Sequence, residues 1–320
     1  MFLHKYFYSY ILVLFISTSF SQFTDVINSN RPGESMSAFS VGKTILQTEV
    51  GVSKIQEKHN TLLYDATGYG LDFVARYGIL SSELELILTT QYQWDTYNFG
   101  NLIVDRLGNK KFIIGGKYLF YDPYKKEVKP NIYSWKANHS FKWSSLIPAV
   151  SLYAGVNFNF SGNNFIAVAQ PSYSPKIILI TQNQFTGSQV FVMNFFMDNI
   201  TSVNSSIGYV LTYTKGFNDH WSAFLENKGV KSNFYSDAIA TGGVAYLFDK
   251  SKQVDISISK SFKNTPSLFY GGLGFSWRFD KNYKPEKVKV SKNKKSKKSS
   301  KVDKDKQKES KRIEDAGEKK

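Results

Sequence analysis

The stretch LFYGGLGFSWRF at residues 268–279 constrains the fold more than any other part of the sequence. Because successive side chains of a strand point to opposite faces, this stretch would have one apolar face and one polar face. The apolar face would carry Phe269, Gly271, Leu273, Phe275, Trp277 and Phe279, and the other face Tyr270, Gly272, Gly274, Ser276 and Arg278. Aromatic side chains gather at one end of the apolar face, as they do where a membrane barrel meets the lipid headgroups. The stretch therefore predicts the closing strand of a membrane β-barrel.

A strand that ends on Phe279 also resembles the C-terminal signal by which bacterial outer-membrane proteins are recognised for assembly. We therefore expect the outer-membrane assembly machinery and outer-membrane lipid among the partners of the chain. Here the signal is internal, because residues 281–320 follow it.

The amino-terminal residues 1–21 have the three-part layout of a secretory signal peptide. Lys5 lies near the start, an apolar run covers residues 10–16, and Ser and Thr residues precede Gln22. The apolar run is far shorter than the ~20 residues that a membrane-spanning helix needs. We therefore predict that residues 1–21 are removed and that the mature chain crosses the membrane by strands. The chain contains no cysteine, which excludes disulfides, thiolate metal ligands and cysteine nucleophiles.

Alternation of apolar and polar side chains recurs along residues 43–280. It is clear in the strands predicted near 44–53, 69–78, 84–95, 112–121, 148–160 and 203–214, and weaker near 173–183 and 188–199. Further strands are predicted near 220–229, 238–248 and 252–262. The predicted fold class is all-β, a transmembrane antiparallel up-and-down β-barrel of about 12 strands, because bacterial outer-membrane barrels have an even strand number and about ten residues per strand.

Loop lengths give the expected orientation, because such barrels have short periplasmic turns and longer outer loops. With both termini in the periplasm, the inner turns would be residues 80–83, 184–187, 215–219 and 249–251. The outer loops would include residues 54–67, 96–108 and 161–172. The exception is the long, basic and aromatic connection 122–147, which would lie on the inner side. It is a periplasmic excursion, an inward plug, or the place of a misassigned strand.

Four short motifs resemble a known family: Asn30-Arg31-Pro32 soon after the signal peptide, Phe224-Leu225-Glu226 in a late strand, Tyr270-Gly271-Gly272, and Ser276-Trp277-Arg278-Phe279. Together they are similar to the outer-membrane transporter proteins of the meta-pathway phenol-degradation family, in a version associated with Bacteroidota. The resemblance covers residues 28–280 and implies an outer-membrane β-barrel with a transport role, without naming a solute. The chain has Asn30 where the family usually has Asp, and the tail after residue 280 is additional.

Charged side chains on the predicted inward faces would line the lumen, where they tune the selectivity of a barrel. They are Glu49, Asp72, Arg76, Glu85, Lys117, Glu226, Lys228, Asp255 and Arg278. The alternative is a salt-bridged interior that closes the barrel. Residues 22–42 would either lie in the periplasm or fold into the barrel mouth, and Asn30, Arg31, Pro32 and Glu34 are the candidate plug residues.

An enzyme would need a nucleophile beside a general base. After the signal peptide the histidines are His59, in a predicted outer loop, and His139 and His220, both on the predicted periplasmic side. They would be too far apart to form one site, and no His and carboxylate grouping has metal-ligand spacing. We therefore predict no enzymatic activity, no cofactor and no metal.

The tail at residues 281–320 contains 17 Lys or Arg against 7 Asp or Glu, so it carries +10 of the formal charge of +15. High charge and low hydrophobicity predict disorder. Nucleic-acid binding is not expected, because only Tyr283 could stack on a base. In the periplasm the tail would bind peptidoglycan carboxylates or an acidic partner, or it would simply be solvated.

The sequence therefore predicts an outer-membrane channel or transporter for passive uptake of small solutes, hydrophobic ones among them. The alternative is a structural or assembly barrel of an envelope complex that binds partners or cell wall through its basic tail.

Overall fold

A computed structural model describes residues 27–125, 143–160, 162–166 and 170–280. These residues form 12 strands: β1 (Leu46–His59), β2 (Tyr64–Gly78), β3 (Leu84–Phe99), β4 (Leu102–Tyr121), β5 (Ala149–Phe158), β6 (Tyr173–Phe185), β7 (Gln189–Asp198), β8 (Ser206–Gly216), β9 (Trp221–Ser232), β10 (Ser236–Asp249), β11 (Lys252–Ser261) and β12 (Ser267–Phe279). Two short 3-10 helices, Pro123–Lys125 and Trp143–Leu146, lie between β4 and β5. In the described part of the chain, no helix is long and apolar enough to cross a membrane.

Each strand pairs antiparallel with its neighbours in sequence, and β1 pairs with β12, so the sheet is closed. The predicted closing strand therefore does close the barrel, with Leu46 opposite Phe279. We call the end of the barrel that holds these two residues the terminal end and the opposite end the loop end. The predicted fold class, a 12-stranded transmembrane antiparallel barrel, is confirmed.

Every second residue of each strand points outward, and these positions are occupied mainly by aliphatic and aromatic side chains. The outer surface of the barrel is therefore apolar. On β12, Phe275, Trp277 and Phe279 are exposed, while Ser276 and Arg278 between them are buried. Aromatic rings meet across and along the outer wall, with centroids 5.9 Å apart for Tyr69 and Trp94. Such a surface suits lipid, and the interior is left to polar groups.

Two of the predicted outer loops are wrong, because the hairpins that contain them continue well beyond the predicted strand ends. Only residues 60–63 connect β1 to β2, where a loop at 54–67 was expected, and only residues 100–101 connect β3 to β4, where 96–108 was expected. The hydrogen-bonded ladder persists after the outward residues become polar, as at Lys54, Gln56 and Lys58. Loss of the apolar signal therefore marks the edge of the lipid belt and not the end of the strand.

The remaining connections match the expected positions closely. The turns at 79–83, 186–188, 217–220 and 250–251 lie at the terminal end, and the connection 159–172 lies at the loop end. In the 122–148 connection, the described residues contain no strand. Residues 1–26, which include the predicted signal peptide, residues 126–142 and the tail at 281–320 lie outside the described residues.

Candidate functional site in the barrel interior

Residues 27–45, which we call the inner segment, lie inside the barrel near the terminal end. Ile27 donates its backbone N–H to the carbonyl of Lys250 in the β10–β11 turn, at 2.8 Å. At the other end of the segment, Thr44 donates its N–H to the carbonyl of Gly78, at 2.9 Å. In between, the segment forms hydrogen bonds with inward-facing groups of β1, β2, β3, β4, β5, β6, β7, β9, β11 and β12. It therefore crosses the lumen and meets nearly the whole wall.

Four charged side chains on β1–β4 form a buried ion cluster beneath the inner segment. Arg76 contacts Glu85 through two short nitrogen–oxygen distances, 2.9 and 3.1 Å, and Lys117 Nζ lies 2.8 Å from the same carboxylate. Glu49 lies 3.7 Å from Arg76. All four side chains are fully buried. The Glu85 carboxylate therefore lies between two cations. Removing one member of the cluster would leave a buried charge without its partner, which is strongly destabilising.

The two cations of this cluster also bind the backbone of the inner segment. Arg76 donates to the carbonyls of Asn28 at 2.6 Å and Phe39 at 3.2 Å. Lys117 donates to the carbonyls of Ser37 at 2.6 Å and Phe39 at 2.9 Å. Hydrogen bonds from a charged donor are stronger than those between neutral groups. The cluster thus fixes the segment before the turn at residues 31–34, through Asn28, and after it, through Ser37 and Phe39. We call the part after the turn the returning part.

Arg31 of the inner segment lies between acidic side chains of β2 and β11. Its Nη2 is 3.4 Å from an Asp255 carboxylate oxygen, and its Nη1 is 4.0 Å from Asp72. The guanidinium lies directly against the backbone of Gly51 on β1 and Gly274 on β12, in space that any side chain there would fill. These two glycines make the close approach of Arg31 to the wall feasible.

Glu226 on β9 receives the turn that follows Arg31. Its carboxylate accepts the backbone N–H groups of Glu34 at 3.0 Å and Ser35 at 3.2 Å, and the hydroxyl of Thr212 at 2.7 Å. Beside it, Lys228 Nζ lies 2.7 Å from the Glu34 carboxylate. The positive charge of Lys228 lowers the pKa of the Glu34 carboxyl to about 2, so that Glu34 stays ionised even in mild acid.

The returning part of the inner segment packs on an apolar cluster inside the barrel. Ala38 and Phe39 are buried there together with wall residues of β3–β7. These are Ile87, Ile113, Leu119, Ala149, Tyr153, Ile178, Ile180 and Val192. The ion cluster on β1–β4 and the apolar cluster on β3–β7 therefore meet on β3 and β4, and the segment contacts both.

The nine charged residues predicted for the lumen lie on the inward face of their strands. Glu49, Arg76, Glu85, Lys117, Asp255, Arg278 and Glu226 are buried, while the Asp72 and Lys228 side chains are 30% and 23% exposed. The four candidate plug residues, Asn30, Arg31, Pro32 and Glu34, lie together on the inner segment. Asn30 donates its backbone N–H to Glu49 at 3.3 Å.

Of the three histidines that follow residue 21, two are described, and they lie at opposite ends of the barrel. His59 ends β1 at the loop end, whereas His220 precedes β9 at the terminal end and contacts the Leu247 carbonyl at 2.8 Å. His139 lies outside the described residues. His59 and His220 therefore cannot act in one site. Within the described ranges, no group of His, Asp and Glu could hold a metal ion.

The sequence-based set missed two interior ion pairs. Arg106 on β4 pairs with Asp95 on β3 at 2.7 Å, and Lys176 on β6 pairs with Asp198 on β7 at 2.6 Å. The sequence prediction places Arg106 in an outer loop, because residues 102–110 show no clear alternation of apolar and polar side chains. Lys176 lies in a stretch that is apolar on both faces, so only the register of the strand shows that its side chain points into the barrel.

The sequence profile of the family described as "MetA-pathway of phenol degradation" matches residues 29–279. The chain belongs to this family. The match begins within the inner segment and ends at the last residue of β12, so the family region includes the segment as well as the whole barrel. No curated protein matches the chain.

Several solved barrels are similar to this phenol-degradation family member at low sequence identity. An outer membrane channel from Pseudomonas putida F1 is 9% identical with a TM-score of 0.50, over 76% of this chain and 98% of that one. The translocator domain of the autotransporter NalP from Neisseria meningitidis is 8% identical with a TM-score of 0.46, over 74% and 89%. The monoaromatic hydrocarbon channel CymD is 10% identical with a TM-score of 0.42, over 74% and 89%. At these identities the likeness concerns the fold.

Proposed function

We propose that this family member is an outer-membrane channel for passive uptake of small solutes, hydrophobic ones among them. One observation carries the proposal: the lumen is crossed by a non-strand segment that is bound to the wall by side chains rather than by a β-ladder. Such contacts can be released while the barrel itself stays intact. The P. putida barrel with the same fold is an outer membrane channel, and the family description refers to phenol degradation, which supports this reading.

In this mechanism the inner segment is the gate at the terminal end. Its turn, with Arg31 and Glu34, is held by acidic and basic groups of β9, β11 and β2, while its base is fixed by the buried ion cluster. A small cavity of about 50 Å³ lies beside the turn, between Pro32 and Tyr270, with room for a few water molecules. Release of the turn would join this cavity to the rest of the lumen, whose charged side chains would then line the solute path.

The proposed channel has both termini in the periplasm. The even strand number gives both termini the same side, and the long hairpins β1–β2 and β3–β4 extend at the opposite end. In this orientation the strand ending at Phe279 faces the assembly machinery, and the tail at 281–320 meets the periplasm. We propose that the tail there contacts peptidoglycan carboxylates or an acidic partner.

The gating proposal predicts that Glu226→Ala raises the conductance of the channel. The substitution removes the acceptor for the N–H groups of Glu34 and Ser35, so the turn loses its attachment to β9. In single-channel recordings of the refolded mature chain in planar bilayers, we expect discrete steps from the unmodified protein, and more frequent or larger steps from Glu226→Ala.

Glu226→Gln is the matched control, because it keeps an oxygen acceptor of the same shape and should behave closer to the unmodified protein. Heat-modifiable electrophoretic mobility would confirm that each variant is folded. If the unmodified protein and Glu226→Ala were both silent although folded, the channel proposal would be wrong. A structural or assembly barrel that binds partners through its tail would then be the better description.

Deleting residues 284–320 tests the tail separately. Because the tail carries most of the positive charge, we expect the shortened protein to co-sediment less with purified cell wall than the full mature chain does. The difference should vanish at high salt, where exposed charges are screened. Equal co-sedimentation at low salt would show that the tail does not bind the wall.

A further inference from the structure

Aromatic side chains form a row on the inner wall near the loop end. The ring centroids of His59 and Tyr64 are 5.2 Å apart, and those of Tyr64 and Tyr97 are 5.0 Å apart. These three residues lie at inward positions of β1, β2 and β3, as the register with their buried neighbours requires. The row therefore leads from the rim of the barrel to the guanidinium of Arg106, which lies 4.6 Å from the Tyr97 ring.

Arg106 is held in a fixed orientation by its partners on β3. Its Nε and Nη2 contact the two carboxylate oxygens of Asp95, at 2.7 and 2.9 Å. Gln93 donates to the same carboxylate at 2.6 Å, and Lys110 donates to Gln93 at 2.9 Å. A bidentate carboxylate fixes the plane of a guanidinium and neutralises its charge, and the faces of that plane stay available to aromatic rings.

A second ring on Arg106 comes from the β5–β6 connection. The Phe165 ring lies 5.1 Å from the guanidinium carbon. Phe165 is brought there by Asn163, whose side-chain amide donates to the carbonyl of Asn109 and whose oxygen accepts the N–H of Phe165 at 3.0 Å. Asn163 occupies space beside Gly108, whose register partner Gln93 is buried inside the barrel. Residues 163–165 thus reach into the lumen.

We propose that Arg106 and Tyr97 form a recognition site for a planar aromatic solute, and that Phe165 covers this site until the solute ring replaces it. The proposal rests on the channel function and specifies where a solute is first selected. Stacking on a guanidinium is available to any flat π-system, so a ring of the solute can take over the contact that Phe165 makes. A saturated ring of the same size lacks that π face and cannot.

Binding of 4-fluorophenol, followed by fluorine NMR line broadening on the folded mature chain in detergent, tests the site without requiring conduction. Phe165→Ala removes the competing ring, and we expect it to tighten binding. Arg106→Lys keeps the charge but loses the planar face, and we expect it to weaken binding. The saturated analogue 4-fluorocyclohexanol should respond to neither substitution. Unchanged binding of 4-fluorophenol in Phe165→Ala would overturn the proposal, even if Arg106→Lys failed to fold.

A reversible crosslink tests whether residues 163–165 must move. A Cβ at position 108 would lie 3.1 Å from Asn163 Cγ, so the Cβ of residue 163, one bond from that Cγ, can come within the roughly 3.5–4.5 Å that separates the two Cβ atoms of a disulfide. Because the chain has no cysteine, the pair Gly108→Cys/Asn163→Cys would crosslink selectively. We expect 4-fluorophenol binding to be lost on oxidation and restored on reduction.

Equal binding in the oxidised and reduced forms would exclude a cover that moves. The conductance of the unmodified protein is measured independently of these experiments. A conducting protein with unaltered ligand binding in all variants would contradict the aromatic site alone, whereas a silent protein would contradict the channel function.

Discussion

Glu85→Ala is expected to lower the free energy of unfolding by about 3–5 kcal/mol, the cost of leaving buried charges without their partner. The substitution removes the carboxylate that lies between Arg76 and Lys117, both of which are fully buried. Their remaining carboxylate neighbour, Glu49, is 3.7 Å from Arg76. Reversible unfolding of the refolded barrel in urea, followed by tryptophan fluorescence, would measure the effect.

Two control substitutions distinguish the loss of the buried carboxylate charge from the mere loss of a side chain. Glu83 is the same residue type two positions earlier, and it pairs with the partly exposed Lys125 at 3.4 Å. Glu83 itself is buried but its cation is partly exposed, so Glu83→Ala should cost less than Glu85→Ala, which leaves two fully buried cations without their carboxylate. Glu85→Gln keeps the volume and part of the hydrogen bonding, and should fall between the two. An effect of Glu85→Ala no larger than that of Glu83→Ala would mean that the cluster does not stabilise the barrel.

The strand pattern could be predicted from the sequence because one physical contrast governs it, lipid outside against polar groups inside. That contrast is strong on β12, where aromatic and small polar residues alternate. It fails on β6 and β7, where the predicted alternation was weak. There Ile178, Ile180 and Val192 point inward and are as apolar as the outward residues, because they pack on Ala38 and Phe39 of the inner segment.

The path of the inner segment could not be predicted, although its residues were singled out. Alternation says which side chains point inward but not what they meet. The partners of Arg31 are Asp72 on β2 and Asp255 on β11, both distant from it in sequence. Only the closing of the barrel brings these two strands together around Arg31. Arg106 was missed for a different reason: its partner Asp95 lies directly opposite it in the β3–β4 hairpin, but the sequence prediction ends that hairpin before Arg106.

The polarity of the inner segment repeats that of the wall it crosses. Its first part, with Asn30, Arg31 and Glu34, faces the charged strands β1, β2, β9 and β11. Its second part, with Ala38 and Phe39, faces the apolar cluster on β3–β7. If the whole segment left the barrel, its apolar part would be exposed and the buried charges at its base would lose their partners. Two partners of the turn around Arg31, Asp72 and Lys228, are partly exposed, whereas all four charges of the ion cluster at the base are fully buried, so we expect the turn to cost less to release than the base.

Gly274→Ala is accordingly expected to open the gate without disturbing the base of the segment. A Cβ at this position would overlap with the Arg31 guanidinium and lie 2.5 Å from an Asp255 carboxylate oxygen, so the pair between Arg31 and Asp255 must separate. The flexible end of Arg31 can move away, and the barrel wall stays in place. We expect single-channel recordings to show a clear rise in open time or conductance over the unmodified protein.

Gly272→Ala is the matched control, because this glycine faces the same interior from the same strand. Its Cβ would have Ser257 Oγ as nearest neighbour at 3.4 Å, an ordinary contact, and conductance should not change. A double-mutant cycle then identifies the cause. If Gly274→Ala acts by displacing the guanidinium, it should have no further effect in an Arg31→Ala background, which should already be open. Additive effects of the two substitutions would show that Gly274 acts on the lumen independently of Arg31, and the assignment of the Arg31 turn as the gate would be lost.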